Sequence, residues 1–200
     1  MQVELQPNVF LRKPAIKTYL IVFVGYFLVL FLMRFFRIGI NNVGQLLNPA
    51  YLLMLLGGIL GMGIGIADRL VYAFVSKPEE EYSKHVQELV KQKKIKTLLV
   101  YLSEDQDSSR RLSTNNAIFL AVWVVLGLFL VTTTVIGFSR GLILGVGLSL
   151  VTDLYFDLQK TEALKQRLFW PIARPVTDQE MKITVYFFFG AFVLLSFMAV

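Results

Sequence analysis

Five stretches of the chain are apolar over about the 20 residues that a helix needs to cross a lipid bilayer. Hydrophobic residues make up 56% of the 200 residues, and charged residues make up 17%. Both values depart from those of soluble domains, so the sequence predicts an all-α integral membrane protein that forms a single membrane domain over 1–200. The five predicted helices are Tyr19 to Phe36, Tyr51 to about Val75, Ala117 to Phe138, Gly141 to about Leu158, and Ile183 to Val200.

The fourth predicted helix leaves an alternative open. Its uncharged part begins at Gly141 and ends just before Asp153, which is short for a membrane span. A tilted or re-entrant segment would need fewer apolar residues. We therefore keep both a full crossing and a re-entrant segment as interpretations of this stretch.

Lys and Arg are unevenly distributed between the two sets of connections. The N-terminus, 77–111 and 160–182 together hold 16 of them, whereas the other set holds Arg34, Arg37 and Arg140. Cytoplasmic loops of membrane proteins carry the excess of Lys and Arg. We therefore expect a multi-pass protein of the cell membrane with its N-terminus in the cytoplasm and its C-terminus outside.

A pattern of small residues in the second predicted helix recurs in the fourth, 84 positions later. Small residues at every fourth position let two helices pack closely in lipid. We interpret the chain as a parallel repeat of two helical hairpins, 17–75 and 115–158, related by a pseudo-twofold axis along the membrane normal. A chance match between two glycine-rich helices is the alternative. The predicted packing residues are Gly57, Gly61, Gly65, Gly141, Gly145 and Ser149.

Segment 76–113 is predicted to form a cytoplasmic amphipathic helix and a loop. Ser76-Lys77-Pro78-Glu79 has the order of a capping box, and an apolar stripe follows it, so we predict a helix lying on the membrane surface from Pro78 to about Leu102. Residues 159–182 form the last cytoplasmic connection. Within it, Thr177-Asp178-Gln179-Glu180 is a second capping box that opens the fifth helix, 183–200.

The densest basic run of the chain lies in the predicted surface helix. Its side chains are expected to bind anionic lipids at the cytoplasmic face, at about 1 kcal/mol per residue near the surface. The simpler alternative is that they only mark the cytoplasmic side. The run is short and lacks interleaved aromatic residues, so we expect no nucleic-acid partner. It consists of Lys91, Lys93, Lys94 and Lys96.

Four ionisable residues follow the two small-residue stripes: Asp68, Arg69, Asp153 and Asp157. Charged groups at membrane depth are costly and usually have a partner or a function. The three carboxylates are candidates for a cation site, and the alternative is that they anchor the helices at the headgroup boundary. Arg69 and Asp153 are equivalent under the 84-residue offset, so we predict that they form a buried ion pair; separate snorkelling to water is the competing interpretation.

No enzyme site can be assembled from the sequence. The absence of Cys excludes a thiol nucleophile, and one His cannot form a His or Cys metal cluster. The single His, His85, lies among charged residues of the predicted surface helix, so we expect a solvated side chain rather than part of a Ser-His-Asp arrangement, and we expect no cofactor. We interpret the chain as a small membrane subunit or scaffold that associates with itself or with a membrane protein partner. The alternatives are a small cation channel or transporter with a path at the repeat interface and, third, a membrane enzyme acting on lipid.

Overall fold

The computed structural model describes residues 16–38, 49–104, 114–133, 137–158, 161–172 and 174–199. Every regular element in these ranges is helical, as the sequence predicts. A π-helical turn spans Tyr72–Ser76. The nine α-helices of the described ranges are α1 (Ile16–Ile38), α2 (Pro49–Met62), α3 (Ile64–Val71), α4 (Glu81–Lys91), α5 (Ile95–Glu104), α6 (Ala117–Thr133), α7 (Gly137–Asp157), α8 (Thr161–Phe169) and α9 (Asp178–Ala199).

Four helical segments are long and apolar enough to cross a membrane, and they correspond to the first, second, fourth and fifth predicted helices. The last residue of the fifth predicted helix, Val200, lies outside the described residues. Of the third predicted helix, 117–138, residues 117–133 form α6 and residues 137 and 138 begin α7, while 134–136 lie outside the described residues. The fourth is longer than predicted, because α7 begins at Gly137 and runs for 21 residues without a break. The four segments are Lys17–Arg37, Pro49–Ser76, Gly137–Asp157 and Asp178–Ala199.

Helix α7 lies at the centre of the bundle. In its most apolar window 72% of the residues are buried, against at most 33% in the other three segments. It contacts α2 along its length, and α6 and α9 pack on its other faces. On one of those faces the Trp123 indole donates a hydrogen bond to the Ile143 carbonyl at 3.0 Å. A Cβ on Gly147 would lie 2.2 Å from the Trp123 ring, so this glycine makes room for the indole.

The predicted surface helix is divided in two. Helix α4 begins at Glu81 rather than Pro78, because the Lys77 N–H donates to the Tyr72 carbonyl and extends the preceding helix through Ser76. It ends before Lys93, which has a φ of 55°. The Lys93 and Lys94 N–H groups donate to the carbonyls of Val90 and Leu89, the pair of bonds that closes a Schellman motif.

The apolar stripe of the divided helix faces protein rather than the membrane surface. Its buried residues form a second hydrophobic cluster with the π-helical turn that follows α3. Helices α4 and α5 therefore make a small lobe, which we call the α4–α5 lobe. Its core consists of Tyr72, Ala73, Tyr82, Val86, Leu89, Leu98 and Leu102.

The second predicted capping box is confirmed. The Thr177 N–H donates to Glu180 Oε2 at 2.9 Å, and the Glu180 N–H donates to Thr177 Oγ1 at 3.3 Å. Helix α9 starts directly after this threonine, at Asp178. The last connection also contains a helix that the sequence did not predict, α8, which buries Leu164 and Leu168 in the main core.

Candidate functional site

Helices α2 and α7 run parallel and touch through their backbones. An ideal Cβ on Gly57 would lie 2.1 Å from the Phe138 carbonyl oxygen, and one on Gly141 would lie 1.9 Å from the Met54 carbonyl oxygen. One turn further on, Gly61 meets the Leu142 carbonyl at 2.2 Å, and Gly145 meets the Gly58 carbonyl at 2.2 Å. No side chain fits between the two helices along these glycines.

These contacts are reciprocal under the 84-residue offset. Gly57 contacts Phe138, which is equivalent to Met54, while Gly141, equivalent to Gly57, contacts Met54 itself. The next pair of glycines shows the same reciprocity, because Gly61 contacts Leu142, the equivalent of Gly58, and Gly145, the equivalent of Gly61, contacts Gly58. A twofold-symmetric interface has this property, in which residue i of one half contacts j of the other and j contacts i.

The two small-residue stripes end at a polar groove. A Cβ on Gly65 would lie 3.5 Å from the Ser149 hydroxyl, so the equivalent positions of the two helices face each other here. The groove beyond them has a volume of about 350 Å³ and is lined by Tyr19, Arg69 and Asp153 among others. We call this end of the bundle the Asp153 end.

The polar side chains of the groove connect four helices. The Tyr19 hydroxyl of α1 donates a hydrogen bond to Asp153 Oδ1 of α7. The Arg69 guanidinium of α3 donates to the Leu102 carbonyl in α5, at the end of a helix where a cation is electrostatically favoured. The structure thus brings Arg69 and Asp153 to one groove and ties both to further elements.

Asp157 lies one turn beyond Asp153, with a partner of its own. Its Oδ2 forms an ion pair with Arg167 of α8, and both side chains are only 2% exposed. Within the described residues, Asp157 Oδ1 and the Nε and Nη2 atoms of Arg167 are buried without a hydrogen-bond partner. This ion pair links α7 to α8 at the edge of the main core.

Asp68 points in a different direction from the other carboxylates. Its Oδ2 accepts hydrogen bonds from the Thr114 backbone N–H at 2.9 Å and from the Thr114 hydroxyl at 2.7 Å. Asp68, Asp153 and Asp157 therefore have separate partners. In the described ranges, no three His, Cys, Asp or Glu side chains lie close enough to hold a metal ion. The structure does not bring the predicted cation-site residues together.

The four lysines of the basic run are all exposed. They surround the turn that joins α4 to α5, so they form one positive tip of the α4–α5 lobe.

Elsewhere on the surface, hydrogen bonds from Lys165 to Asp178 at 2.6 Å and to Glu162 at 2.8 Å raise the pKa of this lysine above its ordinary value.

Three residues whose side chains bind the predicted charges were not predicted: Tyr19, Thr114 and Arg167. A tyrosine near the end of a membrane helix and a threonine before one are both ordinary features of a sequence, and neither indicates its distant partner. The sequence gives a weak indication that Arg167 is the partner of Asp157, because a buried carboxylate needs a cation and this arginine lies ten positions after it.

Comparison of the chain with models of protein families, with curated proteins and with solved structures finds no match. No relative therefore assigns a role to these residues.

Proposed function

We propose that the chain is an integral membrane protein that crosses the cell membrane five times, with its N-terminus in the cytoplasm and its C-terminus outside. Four helical segments of sufficient length and apolarity support this proposal, together with the uneven distribution of Lys and Arg. The reciprocal contacts of α2 and α7 support the further interpretation that 17–75 and 115–158 are two copies of one hairpin.

Within that membrane, the proposed role is that of a small subunit or scaffold that acts by helix–helix association. The observation that carries this role is an exposed glycine, Gly190 of α9, whose ideal Cβ has no described atom within 4 Å apart from its chain neighbours and the backbone of its own helix. Large exposed side chains, Phe187 and Leu194, lie about one helical turn to either side of it. Gly190 therefore forms a notch on an apolar face. Gly25 of α1 forms a second notch of the same kind.

A notch of this kind fits the side chain of another membrane helix. Glycine costs about 1 kcal/mol of helix propensity relative to alanine, and small residues in membrane helices lie mostly where a neighbour approaches closely. The glycines of α2 and α7 have such a neighbour within the chain. Gly190 and Gly25 would find theirs on a second copy or on a membrane protein partner.

Single cysteines in this Cys-free chain test the proposal. Gly190→Cys and Gly25→Cys would be oxidised in intact membranes, with Ala121→Cys on the exposed face of α6 as the matched control. We expect a cross-linked dimer from at least one glycine variant and none from the control. Absence of cross-linking at both glycines, together with a single-chain mass in mild detergent, would contradict self-association.

Two finer proposals belong to the same role. Lys91, Lys93, Lys94 and Lys96 would attract anionic lipids on the cytoplasmic side, since all four are exposed at one tip. Arg69 and Asp153 would form an ion pair in the groove that both of them line. The alternative role of a cation channel with a path at the repeat interface has no support, because backbone fills the space between α2 and α7.

A further inference from the structure

A turn at the end of α8 carries two large apolar side chains on the surface. The Ile172 N–H donates a hydrogen bond to the Phe169 carbonyl at 2.8 Å, which closes a turn over 169–172. Within this turn, Trp170 and Ile172 are 41% and 37% exposed. Elsewhere on α8, Leu164 and Leu168 are buried in the main core and fix the helix to the bundle. We call 169–172 the Trp170 turn.

The Trp170 turn lies between α7 and α9, two helical segments that are long and apolar enough to cross a membrane. Lys165 Nζ of α8 is 2.6 Å from Oδ1 of Asp178, the first residue of α9. The first large apolar side chain exposed on α9 is Ile183, five positions after Asp178 and therefore about 8 Å along the helix. The headgroup zone of a bilayer is roughly 5–8 Å thick on each side. In a membrane, the start of α9 and the helix held against it therefore lie at the level of the headgroups.

The charged groups beside the Trp170 turn are paired with each other. Arg174 Nη2 is 2.7 Å from Glu180 Oε1, and Lys165 has two carboxylate partners. Both cations line one surface groove together with Trp170 and Ile172. Because each cation already has a carboxylate partner, this surface offers little net positive charge to an anionic headgroup. Attraction to a bilayer then depends on the indole and the isoleucine.

We infer that the Trp170 turn inserts into the phospholipid leaflet at this end of the bundle, with Trp170 and Ile172 at the boundary between headgroups and acyl chains. Tryptophan is enriched at this depth in membrane proteins, because its apolar ring faces the acyl chains while its N–H stays among polar groups. Insertion also removes the apolar surface of both side chains from water. The turn then anchors α8 to the membrane surface. The inference rests on the proposal that the chain crosses a membrane.

The two tryptophans of the chain allow a direct test. Trp123 is buried in the main core, whereas Trp170 is exposed. Trp123→Phe leaves Trp170 as the single indole, and Trp170→Phe leaves Trp123 as the matched control. Each full chain would be reconstituted in phosphatidylcholine vesicles that carry a spin label either near the glycerol backbone or near the end of the acyl chain. We expect the shallow label to quench Trp170 more strongly than the deep label does, and to quench Trp123 less than Trp170.

A second measurement leaves the core unchanged, because the chain contains no Cys. Ile172→Cys would carry an environment-sensitive fluorophore, with Lys84→Cys as the control at an exposed position of α4. We expect the fluorophore at Ile172 to be shielded from aqueous iodide and quenched by the shallow lipid label. The fluorophore at Lys84 should be quenched by iodide.

Three results would overturn the inference. Quenching of Trp170 by iodide and by neither lipid label would show that the turn lies in water. Shielding from iodide and from both lipid labels would show that a second copy or another protein covers it. Quenching by lipid only when phosphatidylglycerol is present would assign the attraction to charge rather than to the apolar side chains.

A fluorophore in the middle of α9 separates these results from failure of the proposed function. Phe187→Cys suits this purpose, since Phe187 is 66% exposed. If the deep lipid label does not quench a fluorophore there, the result contradicts membrane crossing itself. If it does quench that fluorophore while Trp170 remains in water, the results contradict only the anchor.

Discussion

A hydrogen atom in place of a methyl group sets the distance between α2 and α7. At Gly57, Gly61, Gly141 and Gly145 the nearest atoms across the interface are backbone carbonyl oxygens. A carbonyl on a packed helix cannot swing away as the end of a flexible side chain can. A side chain larger than glycine at any of these positions would therefore force α2 and α7 apart.

Alanine at Gly141 should lower the free energy of unfolding by about 1–3 kcal/mol, the usual cost of overfilling a packed site. Its methyl group would meet the Met54 carbonyl at 1.9 Å. Gly65→Ala is the control, because the nearest atom to its Cβ would be the Ser149 hydroxyl at 3.5 Å, an ordinary contact distance. This control should be neutral or stabilising, since alanine favours helix. Equal effects of the two substitutions on unfolding in detergent would argue against backbone contact between α2 and α7.

Glycine at Lys93 should stabilise the α4–α5 lobe by about 1 kcal/mol. Lys93 has a φ of 55°, a conformation that costs residues with a Cβ about 1–2 kcal/mol and costs glycine almost nothing. The same substitution at Lys84, inside α4, should destabilise the lobe by about 1 kcal/mol. Hydrogen exchange of the lobe amides measures both. A loss of protection with Lys93→Gly would contradict the turn geometry.

Among the elements, the apolar helices were predictable from sequence and the polar lobe was not. Membrane helices follow from the length of an apolar run, which is a local property. The break between α4 and α5 depends on the left-handed conformation of Lys93, and lysine gives no sign of such a turn. Helix α7 was the least certain membrane span because it is the least apolar of the four long helical segments. Its surroundings are other helices of the bundle, so its side chains need not be as apolar as those of an exposed helix.

The predicted site residues also divide into a part that the sequence predicts and a part that it does not. The small-residue spacing predicted which faces of α2 and α7 could approach closely, because that spacing is local to each helix. The partners of Asp68 and Asp157 lie on segments whose positions only the tertiary fold determines.

The buried link between α7 and α8 should show strong coupling. Arg167→Met alone leaves the Asp157 carboxylate buried without its cation and should cost about 3–5 kcal/mol. Asp157→Leu alone leaves the Arg167 guanidinium buried without its carboxylate. The double variant removes both charges and should lose much less than the sum of the two. A double-mutant cycle on unfolding in detergent measures this coupling. Additive losses would show that the two charges do not stabilise each other.

The same cycle at the Asp153 end tests the proposed pair between Arg69 and Asp153. Arg69→Met, Asp153→Leu and their combination should be non-additive if the two charges compensate each other in the groove. Tyr19→Phe serves as a reference, because it removes the hydroxyl that binds Asp153 and leaves both charges in place. Strictly additive losses for Arg69 and Asp153 would leave snorkelling to water as the explanation.

At the scale of the whole molecule, the distribution of charge predicts orientation. Cysteine at Gln92, in the turn of the α4–α5 lobe, should be protected from an impermeant thiol reagent added outside intact cells. Cysteine at Asn42, in the connection between the first two predicted helices, should react. The prediction follows from the excess of Lys and Arg on the side of Gln92. The reverse labelling pattern would invert the topology.

The contact between α2 and α7 joins segments that a ribosome makes far apart in time. Roughly 75 residues separate the end of α2 from the start of α7, so at about 5–20 residues per second α2 waits about 4–15 seconds for its partner. In the proposed membrane topology, the glycines of α2 would face lipid or the insertion machinery during this time. A chain truncated before α7 would carry the same exposed glycine stripe permanently, and it should be a preferred substrate for membrane quality-control proteases.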